Sequence, residues 1–206
     1  MDNYSYIIYD FLDAIHKFDS KQLDTLFEQS VTELSFDEFS TNILAPVMDE
    51  LGNNWSNKPG IAYEHFFSSW VKAKLYGALL KQTSSPKKTL VCACCPESQH
   101  EIGLLLFSLK LIHAGFKIIY LGPNLPVQQA QLAAEKVDAD GIILSSFLTP
   151  SIEVQKSLIE LTIKYKKGVF LGGRGFKSPS NNLKNSTAIL LEENLSRATN
   201  TIRLMI

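Results

Sequence analysis

The sequence contains no apolar run long enough to cross a bilayer. Its first residues, Met1-Asp2-Asn3-Tyr4, lack the basic and apolar regions of a secretory signal. A cytoplasmic protein with no membrane partner is therefore expected. Cysteine is scarce: Cys92, Cys94 and Cys95 are the whole complement and share one short apolar run. An odd count argues against a disulfide framework, and no second Cys or His pair has zinc-site spacing. The three read as buried strand thiols. Charge of either sign is not in excess, with 20 Lys and Arg against 21 Asp and Glu. That balance removes the electrostatic reason to expect direct DNA binding by the chain. The basic cluster Lys164, Lys166 and Lys167 falls at a predicted helix end, where cations suit the helix dipole. No Gly-x-Gly-x-x-Gly follows the first predicted strand, and no Gly-rich loop ends in Gly-Lys-Ser/Thr. Dinucleotide and P-loop phosphate sites are thereby excluded. Internal repeats and low-complexity tracts are also missing.

What is present divides into two halves with different patterning. The 206 residues, 45% of them apolar, suffice for one large or two small folded domains. Residues 4 to 82 read as helices. Tyr6, Ile7, Tyr9, Phe11, Leu12 and Ile15 recur at helical spacing, followed by Leu23, Leu26 and Phe27. Ser35-Phe36-Asp37-Glu38 is a capping-box pattern opening a third helix with Phe39, Ile43, Leu44, Val47, Met48 and Leu51. Pro46 is expected to kink it and Gly52 to close it. A polar connection, Asn53 to Gly60, precedes a fourth helix from about Ile61 to Lys81. Four helices with short connections predict an antiparallel bundle over residues 1–83.

After the linker-like Thr83-Ser84-Ser85-Pro86-Lys87-Lys88, strands and helices alternate over residues 87–206. Apolar runs at Thr89–Cys95, Lys117–Leu121, Gly141–Ser145, Gly168–Leu171 and Thr187–Leu191 are the predicted strands. Helical stretches at Ile102–Ala114, Val127–Lys136 and Ile152–Tyr165 lie between them. Near-continuous apolar strands separated by helices predict a parallel sheet covered on both faces. The expected class is α/β: a four-helix bundle followed by a flavodoxin-like, doubly wound, five-stranded parallel sheet.

Ligands of such sheets bind beyond the carboxyl ends of the strands, at the switch point flanked by the first and third strands. The first strand leads into Pro96-Glu97-Ser98-Gln99-His100-Glu101-Ile102-Gly103, the third into Ser146-Phe147-Leu148-Thr149-Pro150-Ser151, the fourth into Gly173-Arg174-Gly175. A lone histidine at a helix start is more often a surface or capping residue than a ligand. His100 stands out through its place at the switch point, three residues before a glycine that admits a close neighbour. Its imidazole suits a transition metal such as cobalt.

These segments resemble the His-x-x-Gly, Ser-x-Leu and Gly-Gly signature of B12-binding modules such as that of cobalamin-dependent methionine synthase. Here they read His100-x-x-Gly103, Ser145-x-Phe147 and Gly172-Gly173. The resemblance implies that His100 binds the cobalt of cobalamin in place of the cofactor's own base. It implies further that Ser145, Phe147 and Thr149, with Gly172, Gly173 and Arg174, line the channel for the displaced nucleotide tail. Glu97, Ser98, Gln99 and Glu101 would form the loop around the ligand. Two departures stand out. Ser98 occupies the place of the family's usual Asp, so the hydrogen bond to the imidazole is altered or supplied by Glu97. Phe147 replaces the Leu of Ser-x-Leu.

In the helical half, Trp55-x8-Glu64-His65 resembles the Trp-x9-Glu-His motif of B12-dependent photoreceptor regulators of the CarH/LitR and AerR type, one residue shorter. Taken alone it reads as a bundle Trp and a capping pair. By resemblance the bundle is a cobalamin cap, with Trp55, Glu64 and His65 toward the upper axial group of adenosylcobalamin or methylcobalamin. The MerR-type DNA-binding domain of such regulators is not part of this sequence. The implied function is a light sensor or regulator rather than an enzyme, acting through a protein partner such as a transcription regulator, with homo-oligomer assembly as one readout. The other reading is a corrinoid methyl carrier of a methyltransferase system.

Overall fold

The structure is a computed structural model that describes residues 4–54, 59–81 and 88–206. The predicted linker before Lys88, and Trp55 with it, lie outside the described residues. The chain divides into two compact units, Met1–Lys74 and Leu75–Ile206.

In the first unit, α1 (Ser5–His16) buries Phe11, Ala14 and Ile15, the i, i+3, i+4 stripe expected of an amphipathic helix. Next comes α2 (Ser20–Glu33), whose first turn is capped by Asp19, its carboxylate accepting from the Gln22 N–H at 3.0 Å. The capping box at Ser35 is present in full: Glu38 N–H donates to Ser35 Oγ, and Ser35 N–H to Glu38 Oε2. It starts α3 (Phe36–Glu38), which continues through a π-helical turn, Phe39–Leu44, into α4 (Ala45–Asn53). The kink expected at Pro46 takes this form. Proline has no N–H for the residue four back, and a widened turn just before it relieves the ladder. Gly52 departs from expectation. It is an ordinary helical residue, and the helix ends at Asn54, whose side-chain amide donates to Glu50 O at 3.0 Å.

The last helix here, α5 (Gly60–Leu79), runs on into the second unit. An aromatic cluster fills the helical core. Phe67 stacks on Trp70 at 5.7 Å, and Phe11 meets both edge-on, at 6.4 Å each. Such pairs contribute about 0.5–1.5 kcal/mol beyond their buried area.

The second unit is a five-stranded, all-parallel sheet in the order β2-β1-β3-β4-β5. Its strands are β1 (Lys88–Cys94), β2 (Phe116–Tyr120), β3 (Gly141–Ser145), β4 (Gly168–Gly172) and β5 (Ile189–Leu190). This is the flavodoxin-like order, with the switch point between β1 and β3. Alternate residues of the strands feed two cores. Val91, Ala93, Ile142, Leu144, Val169 and Leu171 pack with α7 (Val127–Lys136) and α8 (Ile152–Lys164). Leu90, Cys92, Cys94, Ile143 and Phe170 pack with α6 (Ile102–His113) and a C-terminal helix the sequence reading did not anticipate. Past the short α9 (Asn181–Lys184), this helix is α10 (Leu195–Met205), capped by Asn194 and burying Ala198, Thr199 and Ile202. The three cysteines are free and buried, as expected, and burial pushes the Cys92 and Cys94 thiols up to about 12.

Candidate functional site

The backbone ladder continues past the strand ends and sets the switch-point loops against one another. Cys94 N–H donates to Gly122 O at 2.9 Å and Cys95 N–H to Ser145 O at 2.8 Å. Beyond β3, Ser146 N–H donates to Gly172 O at 3.1 Å, and Gly175 N–H returns a bond to Ser146 O at 3.0 Å. The glycines after β4 are required by this approach. Gly173 has φ +95°, and a Cβ there would collide with the Ser146 carbonyl oxygen. A Cβ on Gly175 would collide with that of Leu148. Only glycine combines a positive φ with such backbone proximity.

His100 ends the β1 loop with its side chain exposed. Its backbone carbonyl accepts from the Cys94 thiol at 3.8 Å. The imidazole lies on the Phe147 ring, centroids 4.4 Å apart and planes 19° apart. The Arg174 guanidinium sits 5.4 Å from the centroid of the same phenyl ring. Among the described residues the imidazole has no hydrogen-bond partner. Glu97 does not supply one: its carboxylate accepts from Ser151 Oγ at 3.0 Å, and its N–H donates to Asn124 Oδ1 at 2.9 Å. A left-handed backbone at Glu97, φ +69°, accompanies this placement. Ser98 is buried, and its Oγ accepts from the Phe147 N–H at 3.5 Å.

Glu101 departs from the reading that put it in the loop around a ligand. It is buried, and its Oε2 accepts from the Tyr76 hydroxyl at 2.6 Å and the Tyr120 hydroxyl at 3.0 Å. A carboxylate needs donors when it leaves water, and these two phenols provide them. Burial holds both phenols well above the usual tyrosine range. Glu101 thus anchors the loop from inside.

The remaining site residues fall into two groups. Ser98, His100, Ser145, Phe147, Gly172, Gly173 and Arg174 come together at one end of the sheet, with Gln99 and Thr149 exposed beside them. Gly103 opens α6 with nothing within 4 Å of where a Cβ would stand, so the protein's own packing does not demand glycine there. Glu64 and His65 belong to the helical unit, on α5, where His65 Nε2 lies 3.9 Å from Glu64 Oε2. A cavity of about 270 Å³ in that unit is lined by Leu12, His16, Leu51, Asn54 and Tyr63 among others, all residues of the helical unit. Sequence reasoning missed Tyr76, Tyr120, Asn124 and the Glu97 bond to Ser151. Gly122-Pro123-Asn124, a turn pattern after β2, was the available signal for one of them.

An exposed imidazole without a hydrogen-bond partner among the described residues, beside an exposed Gly103 with nothing within 4 Å of a Cβ position, leaves this end of the sheet open to a flat macrocycle. The donor is of a suitable kind too, since an imidazole nitrogen suits transition metals. A family model described as a B12 binding domain matches residues 88–186, and a second of the same description matches residues 7–76. The chain belongs to the B12-binding proteins.

This B12-binding protein therefore takes cobalamin as its cofactor. It is 29% identical over 175 residues to the HTH-type transcriptional repressor CarH of Myxococcus xanthus, covering 81% of this chain and 57% of CarH. It is 35% identical over 78 residues to the dimethylamine corrinoid protein of Methanosarcina barkeri, covering 36% of this chain and 37% of that protein. The chain thus spans little more than half of CarH and a smaller part of the corrinoid protein. The solved monomethylamine corrinoid protein of Methanosarcina barkeri superposes with a TM-score of 0.72 at 15% identity, covering 98% of this chain and 100% of that one. That likeness establishes the shared fold.

Proposed function

We propose that this cobalamin-binding protein is a light-responsive regulator that holds its cofactor with His100 on cobalt and acts through a protein partner. The observation that carries the binding mode is the exposed His100 imidazole at the switch point. One face of it lies against Phe147, it has no hydrogen-bond partner among the described residues, and it stands near Ser145, Gly172 and Gly173, the residues that the resemblance gives to the nucleotide tail. When bound, cobalamin would supply a cobalt for His100 to hold and, in alkyl forms, a cobalt–carbon bond sensitive to visible light. The protein's own part is to donate the His100 nitrogen and to hold the nucleotide tail with Ser145, Thr149 and the backbone at Gly172 and Gly173. The B12-binding match over residues 7–76 supports a role for the helical unit, and the motif resemblance puts Trp55, Glu64 and His65 toward the cofactor. The regulatory reading rests on the Trp-Glu-His resemblance and on the relative CarH, a transcriptional repressor by name. A local packing change read out as altered assembly is a general way for such switches to work.

Mixing purified protein with adenosylcobalamin in the dark is expected to give a base-off, His-on absorption spectrum that His100→Ala abolishes. An unchanged spectrum in the variant overturns the ligand assignment. Illumination before size-exclusion chromatography is expected to shift the elution volume. The relative dimethylamine corrinoid protein supports a second reading, a methyl carrier, which the shared fold does not separate from the first. An elution profile indifferent to light, together with methyl transfer to a thiol acceptor, supports the carrier.

A further inference from the structure

We infer that Phe147 is a positioning residue for His100, its phenyl ring taking the orienting role that a hydrogen-bonded carboxylate would otherwise play. This rests on the reading of His100 as the cobalt ligand. A metal-bound histidine ordinarily has its second ring nitrogen tied to a carboxylate, carbonyl or water, which fixes the ring and raises its donor strength. In this chain Glu97 is committed to Ser151 and Glu101 to two tyrosines. Ser98, placed where a carboxylate is usual, is buried with its Oγ accepting from the Phe147 N–H at 3.5 Å and makes no hydrogen bond to the imidazole.

What the imidazole does have is a ring beneath it, 4.4 Å away and nearly parallel. The donor lone pair of a neutral imidazole and its N–H bond both lie in the ring plane. A stacked arene therefore restrains rotation of the ring while leaving both nitrogens accessible. The platform is itself held. Arg174 lies over it at 5.4 Å, and Ser146 Oγ donates to Leu148 O at 2.6 Å across the Phe147 backbone. Gly175 N–H fastens the same turn through Ser146 O. Stacking orients without adding electron density to the nitrogen, so this histidine is a well-aimed but weaker donor than a carboxylate-backed one.

Cobinamide tests this, because it lacks the nucleotide tail and so reads the His100 contact apart from the tail channel. Phe147→Leu keeps an apolar side chain but removes the ring, and Phe147→Tyr keeps the ring. Phe147→Leu is expected to weaken cobinamide binding roughly two- to tenfold, the range of an aromatic pair, and to lower the His-on fraction of the absorption spectrum. Phe147→Tyr is expected to restore both. A wild-type spectrum and affinity, or tighter binding, in Phe147→Leu overturns the inference. A lower unfolding midpoint with an unchanged spectrum also overturns it, since that is what a purely structural role gives. His100→Ala is run alongside. If His100→Ala loses the spectrum and Phe147→Leu does not, Phe147 alone is misassigned. If His100→Ala keeps it, the ligand reading itself fails.

Discussion

His100 and Glu101 are chain neighbours whose side chains part company, one to the surface and one into the interior between Tyr76 and Tyr120. A buried carboxylate with two phenolic donors is stable only while both remain. Removing one leaves an acceptor site unfilled in a place water reaches poorly, at a cost of about 1–3 kcal/mol. Tyr76→Phe is therefore expected to lower the unfolding free energy measured in urea by an amount in that range, with a lower midpoint, and Tyr120→Phe by a similar amount. The ring contact between the two tyrosines, 5.7 Å apart and edge-on, survives either change, so the loss measures the hydrogen bond. An unaltered midpoint in both variants shows that Glu101 is satisfied in some other way. From the residues alone, Glu101 looked like part of a ligand loop because it sits beside a histidine. Nothing local in the sequence marks a partner 25 positions upstream.

Between elements, α2 and α5 are joined by Asp24, whose carboxylate accepts from Trp70 Nε1 and Lys74 Nζ, both at 2.8 Å. The hydrogen bonds from Lys74 and Trp70 hold its carboxyl below the usual aspartate range. A folded-state value below the unfolded one means that the bridge stabilises the helical unit above the ordinary aspartate range. Its contribution is lost as acid is added and the pH falls through the lowered folded-state value. Asp24→Asn should flatten the acid limb of the stability profile, measured by tryptophan fluorescence against pH. Both tryptophans, Trp55 and Trp70, precede Lys74, so this probe reports on the helical unit. An acid limb as steep as in the wild type locates the titrating group elsewhere. The strands of the sheet were readable to within about a residue at most ends, because apolar runs buried on both faces leave little ambiguity. The π turn before Pro46 was not readable. Proline announces that a ladder is interrupted, but packing of Phe39, Ile43 and Leu44 decides how the backbone absorbs the interruption. The helix α10 was missed although Asn194, Ala198, Thr199 and Ile202 carry a cap and an apolar stripe. Its short stripe is weak beside the long patterns before it.

At the scale of the whole chain, the strand order and the three ligand segments were legible because the signature residues recur at strand ends that the fold must bring together. The His100–Phe147–Arg174 stack was not, since it joins three loops whose spacing no sequence period encodes. Each of the two units matches its own B12-binding model, and that gives the last expectation. A ligand that binds only the native state stabilises it by about 2.7 kcal/mol at a hundredfold excess over Kd. Calorimetry in the dark with adenosylcobalamin should therefore raise the unfolding temperature of the wild type, and His100→Ala should lose most of that rise. The helical unit is probed by Glu64→Gln, which keeps the size of a partly buried side chain, combined with His65→Ala at an exposed one, changes that cost the unliganded protein little. If the helical unit takes part in holding the cofactor, this variant shows a smaller ligand-induced rise at the same concentration while its unliganded midpoint stays put. A full rise in the double variant assigns cobalamin binding to the sheet unit alone, and the shortened Trp-Glu-His pattern is then an ordinary feature of a helical bundle.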